Sequence, residues 1–558
     1  MPTSFLQSAG DRRILAFPLL VWAIMLIADI KLVSTYGSNV PSWDDWDFVP
    51  TITGHQPITM QWLWSQHNEH RLLIPRMALL ALIRFVATDF RVGMYFNVLT
   101  TAALALALII ALFHIRGRAS VFDAFIPIAL MNWSQAANFL WCSQVAFYAS
   151  MLLSGIILVV IGFATTPPKF GPALLAAVCI MLLPLCGANG LGLVPPFILW
   201  LSYTGLLYWR TNTAIGRRNG IVLGAIAVIT VLLVAFYFVG YTTVPYHPST
   251  HRLRIITQTA AQFLTMGFGP GIVGLSSATR TPMPFWGLAC FGVVGLYFLT
   301  AWLLLATWRK EPEERARAAG LLLFLAAMVS LALGLGMGRD GFETRYITLS
   351  VPGLCAVYVA WSIYGTSRLE AHVKTLVFVT VLITFAPNTY WGWYYAHELK
   401  SRLTAFEAQM AAGSPPFQLV RSYSSILHPH HTLLTDYMPM LREAGVGNFQ
   451  HLRDNPPFRK VNVPLEPMKA DNTTAEYTSP WTTSTSGWLT FELASDVDAA
   501  GICLHYSCAP EQSASPYLSV YWKSSDQLRF TEEFHSKYSP TGDRDNWQRG
   551  AWSRLPRT

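Results

Sequence analysis

Ile14-Leu-Ala-Phe-Pro-Leu-Leu-Val-Trp-Ala-Ile-Met-Leu-Ile-Ala-Asp-Ile30 is an apolar run, and Pro41-Ser-Trp-Asp-Asp-Trp-Asp-Phe48 follows shortly after it. A bilayer core takes about 20 mostly apolar residues per helix. Continued to about residue 34, the run is long enough to cross. It lacks a small-residue cleavage site, so it reads as a retained span rather than a signal peptide. The acidic stretch then stands where the chain leaves the membrane.

Working outward, similar runs recur at about 92–114, 121–136, 144–164, 172–187, 190–209, 220–241, 285–307, 319–337, 346–364 and 375–395, giving about eleven spans. The third and fifth are the shortest. Of 558 residues, 53% are hydrophobic and 13% charged, roughly half the usual charged share. So few charges cannot cover a set of soluble domains, and the same figures exclude disorder and a small disulfide scaffold. The net charge of +8 does not signal nucleic-acid binding. Its basic residues sit in short alternate loops: Arg12 and Arg13, Arg116 and Arg118, Lys169, Arg210 with Arg217 and Arg218, Arg309 with Lys310 and Arg315, Arg368 with Lys374. That is the positive-inside pattern. The opposite side receives the long connections 35–91, 242–284 and 338–345, and everything after about 396.

The expected fold is therefore mostly α, a polytopic membrane protein with a small β-sandwich-like external domain at the C-terminus. Residues 1–395 form the transmembrane module and 396–485 an external helical or irregular connector. From 486 to 558, short alternating segments such as Trp488–Leu493 and Tyr517–Trp522 are separated by turn residues, a β pattern. Cys503 and Cys508 lie in this tail and are candidates for a structural disulfide. The other five cysteines lie in or beside spans as small packing residues.

Polar residues crowd the long loops. Asp44, Asp45 and Asp47 are flanked by Trp43 and Trp46. In extended backbone Asp45 and Asp47 share a face; in a helical turn Asp44 and Asp47 do. Either arrangement sets a carboxylate pair beside headgroup-level aromatics. Gln66-His-Asn-Glu-His-Arg71 comes next. On a helix His67, His70 and Arg71 share one face and Glu69 points elsewhere. Such a face suits a phosphate, or a divalent metal beside the aspartates. The spacing is not that of an HExxH hydrolase, and no metal ligand set is assigned. Arg76, Arg84 and Arg91 continue an amphipathic pattern expected of helices lying along the membrane surface. Later loops add Tyr246, His247, His251, Arg252, Arg254, Arg280, Arg339 and Arg345, and guanidinium forks suit phosphate oxygens. Asn132, Gln135, Asn138 and Gln144 line a turn where they can meet a sugar or cap helices.

A first span, a long external loop opening with Asp44-Asp45, surface-lying helices, many further spans and an external C-terminal domain together resemble the GT-C glycosyltransferase superfamily. Members include oligosaccharyltransferases, protein O-mannosyltransferases and bacterial lipid A or arabinan glycosyltransferases. The resemblance covers the whole chain in layout; in motif it rests on the acidic doublet, supported by Arg339 and Arg345. It implies inverting transfer of a sugar from a polyprenyl-phosphate donor to a glycan or lipid acceptor at the outer face of a bacterial inner membrane, with the C-terminal domain periplasmic. Asp44 or Asp45 would be the general base, and Asp47, His67, Glu69, His70, Arg71, Arg280, Arg339 and Arg345 would surround the substrates. Trp488, Tyr517, Tyr521 and Trp522 offer stacking faces for glycan in the tail. No cofactor is assigned, and a divalent metal fits the acids. Two other classes compete: a transporter or flippase of lipid-linked glycan, which needs charges near the bilayer midplane, and a metal-dependent membrane hydrolase or phosphotransferase.

Overall fold

The computed structural model describes residues 9–243, 250, 252–273, 286–338, 343–454, 466–470 and 475–478. Arg280, Arg339, Tyr246, His247, His251, the Cys503–Cys508 pair and the β-rich segment 486–558 lie outside the described residues. The chain divides into two compact units, one ending at Leu403 and the next beginning at Thr404.

In the first unit, α1 (Ala9–Tyr36) leads into the long first loop. That loop holds a 3₁₀ turn (Trp43–Phe48), α2 (Val49–Ile52), α3 (Met60–Trp64), a hairpin of β1 (Gln66–His67) and β2 (His70–Arg71), and α4 (Leu73–Phe85). Then come α5 (Arg91–Arg116), α6 (Phe125–Leu130), α7 (Ala136–Phe139), α8 (Val145–Gly162), α9 (Phe170–Leu182), α10 (Ala188–Arg210) and α11 (Ala214–Tyr237). An amphipathic α12 (Leu253–Thr265) precedes α13 (Trp286–Lys310), α14 (Arg315–Gly338), α15 (Ile347–Tyr364) and α16 (Ser367–Ala411).

Nine of the described helices, α1, α5, α8, α10, α11, α13, α14, α15 and α16, are long and apolar enough to cross a bilayer. The expectation of about eleven is corrected at its two shortest members. Residues 121–136 break into a 3₁₀ turn (Val121–Ala124), the six-residue α6 and a second 3₁₀ turn (Trp133–Gln135). There the Asn132 side chain accepts from the Ser134 N–H at 2.8 Å and starts a new turn instead of continuing the helix. Helix α9 is likewise short, giving way at Leu183–Cys186 to a 3₁₀ turn containing Pro184.

Both interrupted segments nevertheless run from one end of the bundle to the other. Helices α1 and α5 are antiparallel: the Trp22 indole donates to the Ala102 carbonyl midway, and the Phe90 N–H donates to Asn39 Oδ1 at one end. Asp123 pairs with Arg116 at the far end of α5, whereas the Ser143 N–H donates to Asp45, beyond the C-terminal end of α1. The α9 segment begins where Tyr208 donates to the Pro168 carbonyl and finishes where the Ala188 N–H meets His70. Irregular backbone at membrane depth is tolerated when protein buries it, and residues 123–132 are buried throughout. The bundle thus has a loop end, carrying residues 37–90, and a far end, where Arg116, Arg210, Arg309, Lys310, Arg315 and Lys374 collect.

Helix α15 is the hub: every residue from Ile347 to Ser362 is buried, as expected of a helix apolar all round. The peripheral helices turn apolar side chains outward, including Leu20 and Ile27 on α1 and Phe291, Phe298 and Trp302 on α13, which suits lipid tails. Between helices, polar ties replace hydrophobic drive. Trp361 donates to the Thr300 hydroxyl at 2.9 Å and Trp200 to the Ala316 carbonyl at 3.3 Å. Gly93 lets α5 approach Cys142 closely, since a Cβ there would stand 2.4 Å from the Cys142 sulfur.

The second unit contains α17 (Pro416–Leu427), α18 (His431–Glu443), a 3₁₀ turn (Gly447–His451) and an antiparallel pair, β3 (Glu466–Ala470) with β4 (Ala475–Thr478). Phe406, Tyr423 and Phe449 pack together in its core.

Candidate active site at the loop end of the bundle

The first loop is tied to the bundle by one of its own acids. Asp45 is buried, with 1% of its surface exposed, and both its oxygens are occupied. One accepts from the Ser42 N–H at 3.2 Å and the other from the Ser143 N–H at 2.7 Å. Burial pushes its carboxyl up to about 7 despite these two donors. Asp45 is a strut between the 3₁₀ turn and the chain that enters α8.

Asp44, its neighbour, is about one-third exposed and faces the hairpin. His67 Nε2 stands 3.6 Å from Asp44 Oδ1, and His67 Nδ1 stands 3.2 Å from Asp47 Oδ2. One imidazole thereby bridges two carboxylates. Burial raises the Asp44 carboxyl, but the hydrogen bond and charge of His67, with Arg345 and His70 adding, bring it below its ordinary value. The same pairing acts on His67: burial lowers it, and Asp44 and Asp47 more than reverse this, leaving it raised. Donor atoms of Asp44, Asp47 and His67 all lie within 4.8 Å of one another, close enough to share a cation.

The expected helix at 66–71 is a two-residue hairpin instead, because Asn68 at its turn adopts φ +49°, a left-handed value that Asn tolerates and a helix does not contain. His67 and His70 pair directly across the hairpin. His70 Nδ1 accepts from the Ala188 N–H at 3.1 Å. Glu69 lies at the turn, its carbonyl accepting from the Tyr237 hydroxyl. Arg71 is buried and spends its guanidinium on backbone carbonyls: Nε on Tyr237 at 2.8 Å, Nη1 on Trp64 at 2.8 Å and Nη2 on Val239 at 2.7 Å. It clamps the hairpin to the end of α11. Arg76, expected at headgroup level, is also buried; it donates to the Trp62 and Ser65 carbonyls and lies over the Trp62 ring.

Arg345 reaches the same end from the turn before α15. Its guanidinium carbon lies 5.3 Å from the centre of the Trp141 ring. Among the described residues, no carboxylate stands within ion-pair distance of it, although Asp44 feels its charge. The residues read as sugar-contacting or capping do structural work here. Asn138 donates to the Arg345 carbonyl at 2.6 Å and to the Thr348 hydroxyl at 2.7 Å. Thr348 in turn donates to Gln135 Oε1, and Asn97 donates to the Asn138 and Trp141 carbonyls. This chain of amides fixes the backbone of Arg345 and of Trp141 relative to each other.

Three features escape sequence reasoning. Trp141 looks like any interfacial aromatic, and only its partners distinguish it. The Asp47–His67 contact needs the hairpin. Asp29, the lone acid in the apolar run of α1, is fully buried; an acid inside a span is the signal that points to it.

Fold and site together define a multi-pass helical membrane protein with a cluster of ionisable residues at one end of its bundle. Comparison of the chain with protein-family models, with curated proteins and with solved structures finds no match.

Proposed function

We propose that this protein is a membrane glycosyltransferase of the GT-C kind that moves a sugar from a polyprenyl-phosphate donor to an acceptor hydroxyl with inversion. The observation carrying this reading is a partly exposed carboxylate, Asp44, that feels the charge of a guanidinium with no carboxylate partner among the described residues, Arg345, at the loop end of a lipid-embedded bundle. Asp45 is buried and tied by each oxygen to a backbone N–H, out of reach of an acceptor, so the base is Asp44. In the displacement, Asp44 takes the proton of the acceptor hydroxyl while that oxygen bonds to the sugar's anomeric carbon. The bond from that carbon to the phosphate oxygen breaks, and the electron pair leaves with polyprenyl phosphate. Arg345 meets the charge that develops there, so no acid is needed. His67 holds Asp44 ionised, and Arg71 and Asp45 hold the loop. The basic far end matches a cytoplasmic face, which gives the loop end and residues after about 396 an external position, including a β-rich domain at 486–558.

The test is transfer from radiolabelled polyprenyl-phosphate hexoses by the purified chain in nanodiscs. Labelled product with wild type and none with Asp44→Asn is expected. Equal rates for the two, or no consumption of any donor in a panel, would overturn the reading.

A second reading has a specific observation behind it. Two carboxylates and an imidazole form a donor set suited to a divalent transition metal. Asp44, Asp47 and His67 would hold the ion, which would act as a Lewis acid in a phosphotransferase or hydrolase. Tight Mn²⁺ or Zn²⁺ binding by calorimetry, lost in His67→Ala, favours it; no binding heat and indifference to chelator remove it.

A further inference from the structure

Trp43 is the most strained non-glycine position at the loop end. Its φ is +49°, a left-handed value that a bulky aromatic rarely adopts and that persists only where the surroundings enforce it. The enforcement is visible on either side. Ser42 and Asp45 are bound to each other twice, by Asp45 N–H to the Ser42 carbonyl and by Ser42 N–H to the Asp45 carboxylate. The Ser143 N–H then holds that carboxylate from the bundle.

The strain changes where the indole goes. In a 3₁₀ turn residues three apart eclipse, so Trp43 and Trp46 would share a face. Instead Trp46 is fully buried and Trp43 is 43% exposed. The Trp43 ring lies 6.4 Å from that of Trp141, and the Arg345 guanidinium lies 5.3 Å from the centre of the Trp141 ring. Exposed indole, backing indole and guanidinium therefore form a continuous series beside Asp44.

We propose that Trp43, backed by Trp141, is the stacking platform for the pyranose ring of a glycosyl phosphate whose phosphate meets Arg345. The inference rests on the glycosyl-transfer reading and names what the site recognises. One face of a pyranose presents C–H bonds carrying partial positive charge, which complement the negative face of an indole. The phosphate of the same molecule complements a guanidinium. A ligand with both parts fits the series, and one with phosphate alone uses only half of it.

The experiment compares binding of polyprenyl phosphate with and without its hexose, in nanodiscs, on the Asp44→Asn background so that nothing turns over. Trp43→Gly is the informative variant, because glycine accepts φ +49° without strain and the turn is retained. With the platform intact, the glycosylated lipid binds about tenfold more tightly than the bare phosphate. Trp43→Gly abolishes that preference, leaves bare-phosphate affinity unchanged and does not lower the melting temperature; Trp43→Phe keeps part of the preference. An unchanged preference in Trp43→Gly overturns the platform while leaving the transferase reading intact. Equal affinity for the two lipids in the parent does the same. If neither lipid binds the parent, the transferase reading falls and the platform falls with it.

Discussion

Asp123 and Asp44 are acids near arginines at opposite ends of one bundle, and their surroundings differ in kind. Asp123 is fully buried, paired with Arg116 and accepting from the Tyr358 hydroxyl at 2.8 Å. At the same end other charges form pairs of their own: Lys374 with Glu370 at 2.8 Å, Arg118 with Glu370 at 3.8 Å, and Arg317 with Glu314 at 2.8 Å. The Tyr364 hydroxyl donates to Glu314 as well. At the loop end, Asp44 is partly exposed and leans on a histidine, and Arg345 rests on an aromatic ring rather than a carboxylate. A charge network that closes on itself holds helices together. One that stays open is available to a ligand.

Substitutions at the two ends should therefore fail in different ways. The largest effect is expected from Asp44→Asn, which should lower the transfer rate by about 10²–10⁴-fold, the usual scale for losing a general base. Its thermal unfolding should match wild type. If melting falls along with activity, Asp44 belongs with Asp123 as a structural acid. Next comes Asp123→Ala, which strands Arg116 as an uncompensated buried charge and should cost about 3–5 kcal/mol of stability. Thermal unfolding in detergent would register it; a neutral result would mean that the far end is not a closed network. Arg345→Ala should then reduce donor use by roughly 10²-fold while acceptor KM holds, since it removes one donor to developing charge. An equal loss on both substrates would sharpen the comparison against a phosphate-specific role.

The smallest effect concerns pH. Burial raises Asp45 from 3.8 to about 7, so the folded chain holds that proton more tightly than the unfolded chain. Its stabilising contribution is complete below about pH 4 and is lost as pH rises through 7. Asp45→Asn cannot ionise and should flatten the stability profile in that window, at the cost of one backbone acceptor. Thermal unfolding across pH 4–8 checks both statements, and an unaltered slope would show that Asp45 does not titrate there.

What the sequence makes legible follows from what is local. Apolar runs long enough for a bilayer identify themselves, and all nine long helices fall on such runs. Residues 121–136 are as apolar as a span but are cut at Asn132, and neighbours that bury the break lie far along the chain. In the site, Asp44-Asp45 stand out by position. Their division of labour does not, because the N–H that occupies Asp45 belongs to Ser143, 98 residues later. Arg71 reads as a phosphate ligand until Tyr237 and Val239 take its donors from 166 and 168 residues away. The reversal of the 66–71 segment from helix to hairpin turns on a single backbone angle at Asn68.

The amide chain that seats Arg345 has a consequence for biogenesis. Asn138 and Asp123 are synthesised early, yet their partners Arg345, Thr348 and Tyr358 are 207 to 235 residues downstream. While the ribosome works through the intervening helices, the Asp123 carboxylate lacks its tyrosine donor and the Asn138 amide lacks both acceptors, inside a membrane that offers little water. Insertion of α15 closes both ends of the molecule in one event. A nascent protein stalled before that helix is thus a marked substrate for membrane quality-control proteases, and supplying α15 and α16 as a separate polypeptide should rescue it.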